Sequence, residues 1–406
     1  MGRVIWVAGL AAVALSGCRE RAREVEERHD LQDVVDQMKP AVEKATGLTF
    51  RRAPVVLRRT RAQVRDYVVH RFDEELTPDE LAGVQAAYRR FGLLPDTLDL
   101  RRTMIDLLTE QVAGYYDPDS NALFVPTDAD PPLIRMTVSH ELTHALQDQY
   151  LSLDSLLEQK HHNDRRSAAQ AVLEGQATLA QILVQMPEQQ DKIPSFWDTR
   201  KAIQTQMSEM KEFSGAPLWL RETLIFPYLG GADFVRWFRK QHPDREPFGT
   251  AMPTSTAQIL HPDRYAAGEQ PVGLAFLPPA AAIGAPRYED DLGEFETRLL
   301  FEQLLDDTAE AIAPGLAAGW AGDRYAVFGP GRDALVWYTV LGDAAAADRF
   351  AAGLKRAWAR RRNGGPADRK WRVDRVIIEG HQGVRLSDAL AAWTGWRQPP
   401  AVHVVK

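Results

Sequence analysis

The residues His140, Glu141 and His144 form the pattern His-Glu-x-x-His. On a helix, residues four apart lie on one face a single turn apart, so two imidazoles at this spacing can bind one metal ion. The glutamate beside the first histidine then lies where it can take a proton from a coordinated water, whose pKa zinc lowers. The pattern predicts a hydrolytic zinc site. The competing interpretation is a pair of surface histidines with a solvated glutamate.

The flanking sequence predicts the helix that this spacing requires. Asp130 is a suitable N-cap residue, and two prolines follow it in the first turn. Apolar residues then recur at helical spacing and give the helix one buried face: Ile134, Val138, Leu142, Ala145 and Leu146. The histidines border this apolar stripe.

Catalytic zinc usually has a third protein ligand, and here the best candidate is Glu174. It lies in an alanine-rich segment with a helical pattern, and Gly175 follows it. Small side chains let two helices approach closely, which a carboxylate needs if it is to reach an ion held by another helix. Asp164 is the main rival ligand, and an ordinary helix glutamate is the alternative interpretation. His161 and His162 are adjacent and fit a polar loop better than a metal site.

These motifs resemble the gluzincin branch of the zincin metallopeptidases, and more closely the bacterial peptidase MA-like group. The resemblance rests on His-Glu-Leu-Thr-His at 140–144 and Leu-Glu-Gly-Gln-Ala at 173–177, and it extends more weakly over residues 30–270. It implies that His140, His144 and Glu174 bind zinc and that Glu141 is the general base. It also implies an α+β, helix-rich zincin-like fold.

A hairpin is predicted just upstream, from Tyr115-Tyr116 and residues 122–126, which flank the turn-rich segment Asp-Pro-Asp-Ser-Asn. In zincins the strand before the metal-binding helix is commonly a sheet edge above the cleft. An extended peptide could add to such an edge through main-chain hydrogen bonds. The alternative is a hairpin that only covers the core.

Peptide hydrolysis also needs a group that stabilises the oxyanion. Metallopeptidases of this type often use a tyrosine or a histidine outside the two metal-binding helices. The candidates are Tyr228 and His261, ranked jointly, with Tyr265 as a third. Asp148, one turn beyond His144, is a candidate hydrogen-bond partner for a zinc-binding histidine.

The N-terminus predicts a lipoprotein. Residues 1–17 form a short apolar leader, and Leu15-Ser16-Gly17-Cys18 resembles a bacterial lipobox, in which the leader is cut before the cysteine and the cysteine is lipidated. Cys18 is the sole cysteine, so an intrachain disulfide and cysteine zinc ligands are excluded. Arg19 follows where an aspartate would argue for inner-membrane retention, which favours the outer membrane. A location at the surface of a Gram-positive cell stays open.

Composition fits a secreted body behind this anchor. The net charge of −7 over 406 residues gives no support for nucleic-acid binding. We predict a signal peptide at 1–17, a lipidated cysteine and charged tether at 18–30, a peptidase domain at 31–270 and a small α+β domain at 271–406. In the last domain we expect strands at 325–328, 334–340 and 373–379, helices at 344–360 and 386–393, and a turn at 319–325 in which Asp323 pairs with Arg324.

The sequence thus predicts a zinc-dependent peptidase at the bacterial cell envelope, acting on a protein or peptide substrate and anchored by lipid on Cys18. The alternative, from another class, is a non-catalytic envelope lipoprotein in which zinc holds two helices together and the C-terminal domain binds an envelope protein. Glu141 argues against the alternative, because a purely structural site does not need that carboxylate.

Overall fold

The computed structural model describes residues 30–153, 156, 159–186, 192, 195–306, 308–331, 333–363 and 367–405. Residues 1–29 lie outside the described residues, and they hold the predicted signal peptide, Cys18 and nearly all of the predicted tether. Among the described residues, no helix combines the length and the apolar character needed to cross a membrane.

The N-terminal part is rich in helices. Its elements, in chain order, are α1 (Asp30–Thr46), β1 (Val55–Arg59), α2 (Arg61–Glu75), α3 (Pro78–Phe91), α4 (Leu100–Gln111), β2 (Tyr115–Asp117), β3 (Ala122–Pro126), α5 (Pro131–Asp148), α6 (Asn163–Gln185), α7 (Arg200–Met207), α8 (Lys211–Gly215), α9 (Leu218–Gln241), α10 (Thr256–Leu260) and α11 (Pro262–Ala266).

The C-terminal part is richer in strands. Its elements are β4 (Gly273–Phe276), β5 (Tyr288–Asp290), α12 (Gly293–Leu304), α13 (Ala309–Ala317), β6 (Trp320–Phe328), β7 (Ala334–Leu341), α14 (Ala344–Arg362), β8 (Arg369–Ile378), β9 (His381–Leu390) and β10 (Val402–Val405). The predicted α+β, helix-rich class is confirmed.

Helix α3 shows how local sequence sets its boundaries. Thr77 is the N-cap: its hydroxyl accepts from the backbone N–H of Glu80, and the Glu80 side chain accepts from the backbone N–H of Thr77. Pro78 occupies the first turn, where no N–H is needed. Gly92 ends the helix with φ of 85°, a left-handed conformation that glycine adopts without strain.

A three-stranded sheet precedes the helix that carries His140 and His144. Its order is β1-β3-β2, with β1 parallel and β2 antiparallel to β3. The predicted hairpin is confirmed, since Tyr115 pairs with Phe124 and Tyr116 with Leu123. The expectation that the strand before this helix is an edge is wrong: β3 is paired on both sides, and β2 is an edge.

Two details of the N-terminal helices differ from what the sequence predicts. Pro40 interrupts the helical pattern that starts at Leu31 and so predicts a break, but α1 runs through it, since burial of Val35, Met38 and Val42 offsets the lost backbone hydrogen bond. Gly114 predicts a C-terminal stop for the helix before it, but α4 ends earlier, at Gln111. A Cβ at Gly114 would lie 2.4 Å from Thr137 Cγ2 and 2.9 Å from Phe124 O. This glycine therefore lets the chain pass close to α5 and β3, and it does not end the helix.

The C-terminal part is built on an antiparallel sheet of order β5-β6-β7-β9-β8. The helix expected at 386–393 is wrong, because this region begins in β9, which is hydrogen-bonded to β7 on one side and β8 on the other. The turn expected at 319–325 is also wrong, since residues 320–328 form β6. Adjacent strand residues point to opposite faces. Asp323 and Arg324 accordingly have different partners.

One apolar core joins the two parts of the chain. The ring of Phe91 on α3 lies 5.1 Å from that of Tyr325 and 5.4 Å from that of Trp337, both on the C-terminal sheet. The ring of Phe226 on α9 stacks on that of Phe295 on α12, with centroids 3.9 Å apart. Residues of both predicted domains therefore pack against each other directly.

Candidate metal centre

Helices α5 and α6 bring His140, His144 and Glu174 together, although the glutamate lies 30 positions after the second histidine in the chain. The ligand atoms of these three side chains all lie within 4.8 Å of one another. Glu174 Oε2 lies 3.1 Å from His140 Nε2 and 3.4 Å from His144 Nε2. All three side chains are at most 3 % exposed. Among the described residues, this is the one group of three or more potential ligands that could hold a metal ion.

The donor set fits a tetrahedral metal. With bonds of about 2.0–2.1 Å, two ligand atoms of a tetrahedral zinc site lie roughly 3.3 Å apart. The two distances from Glu174 Oε2 match that spacing. Two imidazole nitrogens and a carboxylate oxygen are also ligands that zinc accepts in catalytic sites. A buried cluster of this composition could therefore bind a metal.

A close crossing of α6 with α9 positions Glu174. A Cβ added to Gly175 would lie 2.1 Å from the backbone carbon of Gly231, and one added to Gly231 would lie 1.8 Å from Ala171 O. Ala171 and Gly175 of α6 thus serve its contact with α9, whereas we had expected the small side chains to serve the approach towards the histidine-bearing helix α5.

The side chain of Gln147 holds His144 in one orientation. Its Nε2 donates to Leu173 O at 2.9 Å and to Gln176 Oε1 at 2.8 Å. A backbone carbonyl can only accept, so the amide oxygen of Gln147 faces His144 Nδ1, at 2.9 Å. His144 Nδ1 therefore carries a proton, and Nε2 is the nitrogen that faces Glu174, 3.4 Å from its Oε2.

The sequence analysis did not identify Gln147 as a functional residue. Its position three residues after His144, on the same helix face, was the available signal. Asp148 was the predicted partner instead. The structure places Asp148 Oδ2 2.8 Å from the hydroxyl of Tyr116, which donates to it.

The charges of the cluster depend on one another. Burial alone would raise the pKa of Glu174, but the charge of His144 and hydrogen bonds from both imidazoles outweigh it and hold this pKa at about 2. Burial lowers the pKa of His140. Burial also acts to lower the pKa of His144, but the charge of Glu174 prevails and raises it.

Glu141 lies beside the cluster in a different environment. It is fully buried, and among the described residues neither carboxylate oxygen has a hydrogen-bond partner. Burial raises the pKa of this carboxyl to about 8, against the opposing charge of His144. The backbone of Tyr116 on the edge strand β2 faces the carboxyl and weakly favours its charged form, although the geometry falls short of a hydrogen bond.

The structure brings one of the two jointly ranked oxyanion candidates to the cluster. The ring of Tyr228 on α9 stacks on that of His140, with centroids 5.9 Å apart and planes at 27°. His261 lies between α10 and α11, and its Nε2 is 2.5 Å from Glu294 Oε1 on α12. Tyr265, the third candidate, donates its hydroxyl hydrogen to Ala251 O at 2.7 Å.

The rival ligands lie elsewhere. Asp164 is ten residues before Glu174 on α6, which corresponds to about 15 Å along the helix. Its Oδ1 accepts from the backbone N–H of Thr256 at 2.9 Å and from the Thr256 hydroxyl at 2.5 Å. His161 and His162 precede α6 in a loop, as expected, and His161 Nδ1 lies 2.8 Å from Glu289 O.

Two family models match parts of this chain. Residues 69–216 match the family described as "Putative metallopeptidase family (DUF6782)". That segment includes His140, Glu141, His144 and Glu174 but neither Tyr228 nor His261. Residues 282–396 match the family described as "Domain of unknown function (DUF8575)". Searches of curated proteins and of solved structures gave no match. The matched segment thus combines a similarity to a metallopeptidase family with a buried group that could bind a metal.

Proposed function

We propose that this protein is a zinc-dependent peptidase of the bacterial cell envelope, with His140, His144 and Glu174 as metal ligands and Glu141 as general base. One observation carries the proposal. Three buried ligand atoms from two helices meet beside the carboxyl of Glu141, which has no hydrogen-bond partner among the described residues. When bound, the metal would supply a Lewis acid for the substrate carbonyl and lower the pKa of a water molecule.

Glu141 has the properties that a general base needs. Its carboxylate oxygens have no hydrogen-bond partner among the described residues, so they are available to accept a proton. Burial raises the pKa of this carboxyl to about 8 when no metal is bound, and the positive charge of a bound metal would lower it, so that the carboxylate could take a proton near neutral pH and pass it to a leaving amine. This is the role that the gluzincin resemblance implies for the same residue.

Other groups of the site would orient the metal ligands and bind the substrate. Gln147 fixes the ring of His144 so that its Nε2 faces the ligand cluster. The ring of Tyr228 lies against His140, which puts this tyrosine near any carbonyl bound at the site, and we propose that it helps stabilise the oxyanion. Strand β2 lies at an edge of the three-stranded sheet, and we propose that an extended peptide adds to this edge through main-chain hydrogen bonds.

The decisive experiment compares the protein lacking residues 1–18 with its Glu141→Gln variant. Bound zinc is measured in both, and cleavage of a denatured protein mixture is followed by mass spectrometry. We expect similar zinc content and a loss of at least 100-fold in activity for the variant, because general-base catalysis contributes that much. Equal proteolysis by both proteins would exclude this mechanism.

The burial of the cluster favours a second candidate, a non-catalytic role in which zinc joins α5 to α6. His140, His144 and Glu174 are almost inaccessible to solvent, as structural metal ligands usually are. This role predicts that zinc removal lowers the melting temperature while no cleavage occurs under any condition. Cleavage that depends on Glu141 would exclude it.

The envelope location is proposed from sequence alone, namely Leu15–Cys18 and the apolar run before it. We expect the full-length protein to fractionate with membranes and to incorporate labelled palmitate. The Cys18→Ala variant should incorporate none. Equal labelling of the two proteins would argue against lipidation at Cys18.

A further inference from the structure

We propose that a cavity next to the metal-binding cluster accepts a bulky, mainly apolar side chain of the peptide substrate and selects against acidic side chains. This inference rests on the proposed peptidase function and adds a substrate preference to it. The cavity has a volume of about 300 Å³ and lies among α2, α3, α4, α6, α9 and the start of α12.

The position of the cavity relative to the cluster follows from two helices. On α6, the cavity is lined by Asn163, Arg166, Ser167 and Gln170, a spacing that marks one helix face. Glu174 is the next residue along that face, four positions or about 6 Å beyond Gln170. On α9, Pro227 lines the cavity and the adjacent residue is Tyr228, whose ring contacts His140. The cavity therefore begins about one helical turn from the ligand cluster.

The walls of the cavity are apolar. Helices α2, α3 and α4 contribute large aliphatic and aromatic side chains, and α9 closes the opposite side with Leu220, Leu224 and Phe226. Leu76, Val84, Met104 and Leu224 are only partly buried by the rest of the protein. A ligand side chain that covers them would gain the free energy of removing apolar surface from water.

The size of the cavity restricts what it can hold. Pockets that bury a drug-sized molecule range from about 300 to 1,000 Å³, so this cavity is at the lower limit. It can enclose one large side chain but has no room for an extended peptide. The backbone of the substrate would have to lie outside it, towards the cluster and the edge strand β2.

The charges of the cavity lining determine which kinds of side chain it can accept. The lining includes the carboxyls of Glu75, Asp290 and Glu296, against the cations Arg166 and Lys160. Lys160 Nζ is 2.6 Å from Glu80 Oε1, so that lysine is neutralised by a residue outside the cavity lining. Even without Glu296, the carboxylates of Glu75 and Asp290 outnumber the single guanidinium of Arg166 in the lining, and this excess of negative charge disfavours the burial of an acidic side chain. Long aliphatic and aromatic side chains match the apolar walls, and side chains that end in a hydrogen-bond donor match the negative charge of the lining.

Cleavage-site profiling tests the inference. The protein lacking residues 1–18 is incubated with a peptide library, and the cleaved bonds are identified by mass spectrometry. We expect at least a tenfold enrichment of bulky residues at one fixed position next to the cleaved bond, and depletion of aspartate and glutamate there. Leu224→Trp, which fills the cavity, should abolish the enrichment. Leu277→Trp, at a side chain that is 44 % exposed, is the control for added bulk and should keep it.

A binding measurement separates failure of this inference from failure of the proposed function. Ligand-observed NMR compares N-acetyl-tyrosinamide with N-acetyl-glycinamide on the Glu141→Gln protein, with and without Leu224→Trp. Binding of the tyrosine amide alone, lost with Leu224→Trp, supports the cavity even if no peptide is ever cleaved. Cleavage without side-chain preference overturns the cavity inference and leaves the peptidase function intact.

If Leu224→Trp fails to fold, Leu224→Ala replaces it. An enlarged cavity should shift the cleavage preference to larger side chains, and an unchanged cleavage profile overturns the inference.

Discussion

Gln147 Oε1 lies 2.9 Å from Nδ1 of His144, and the other end of the same amide is bound to the backbone carbonyl of Leu173, the residue before Glu174. One neutral side chain thus links a candidate ligand on α5 to the backbone that presents the candidate ligand on α6. The tautomer of the histidine and the spacing of the two helices are fixed together.

Replacing this amide should weaken metal binding. Gln147→Leu removes the acceptor for His144 Nδ1 and leaves Leu173 O without this donor. Loss of such a partner typically reduces metal affinity by about 10–100-fold. Competition with a chromophoric chelator measures the affinity, and Gln241→Leu, at an exposed glutamine, is the control. Unchanged affinity in Gln147→Leu would show that the contact does not position the ligand.

The crossing of α6 and α9 should not tolerate a methyl group. Gly231→Ala would place a Cβ 1.8 Å from Ala171 O, and because that neighbour is a backbone atom, no rotamer change can relieve the clash. We expect a loss of about 1–3 kcal/mol in the free energy of unfolding, together with weaker metal binding as α6 shifts. Chemical denaturation measures the free energy of unfolding. Gly215→Ala, which has no atom within 4 Å of its new Cβ, should change neither the free energy of unfolding nor the metal affinity.

Asp323 should be indispensable to the packing of the C-terminal part, where it ties strand β6 to the start of α12. It accepts hydrogen bonds from the backbone N–H groups of Leu292 and Gly293 and from the indoles of Trp320 and Trp337. Asp323→Ala leaves four buried donors without this acceptor, at about 1–3 kcal/mol for an unsatisfied group. We expect the free energy of unfolding to fall by at least about 3 kcal/mol. Asp348→Ala, at a side chain that is 73 % exposed, should have no measurable effect.

The buried carboxyl of Glu296 in the cavity lining should make stability depend on pH. Burial raises the pKa of Glu296 to about 7, against a hydrogen bond donated by the Tyr88 hydroxyl at 2.6 Å. The folded protein therefore holds this proton in the pH range where the unfolded chain, with a pKa near 4.5, has released it. The stabilising contribution is complete below about pH 4.5 and is lost as pH rises through 7.

Denaturation curves at pH 5 and pH 7.5 test this sign. The wild type should lose stability over this interval, and the variant Glu296→Gln should lose less, with a difference on the order of 1–3 kcal/mol. Asp198→Asn removes a charge at an exposed position and should follow the wild type. A wild type whose stability rises relative to Glu296→Gln over the same interval would contradict the prediction.

The sequence alone determined the features that depend on local spacing. The amphipathic pattern predicted α5, turn residues between two β-prone runs predicted the β2–β3 hairpin, and the four-residue spacing of His140 and His144 predicted a shared metal. These features follow from helix and strand geometry over a few residues, and no distant contact has to be known. The alanine-rich helical pattern ranked Glu174 above Asp164 as the third ligand, and the family resemblance supported that ranking.

Only the tertiary structure decided which distant groups meet. It brought Glu174 within 3.4 Å of both imidazoles, paired Gln147 with His144, and placed Tyr228 against His140 while His261 paired with Glu294. It also turned residues 381–390 into a strand, because pairing with β7 and β8 outweighed the local pattern that favoured a helix from 386. Side-chain partners and strand pairing are set by packing between segments far apart in the chain, and no local period encodes them.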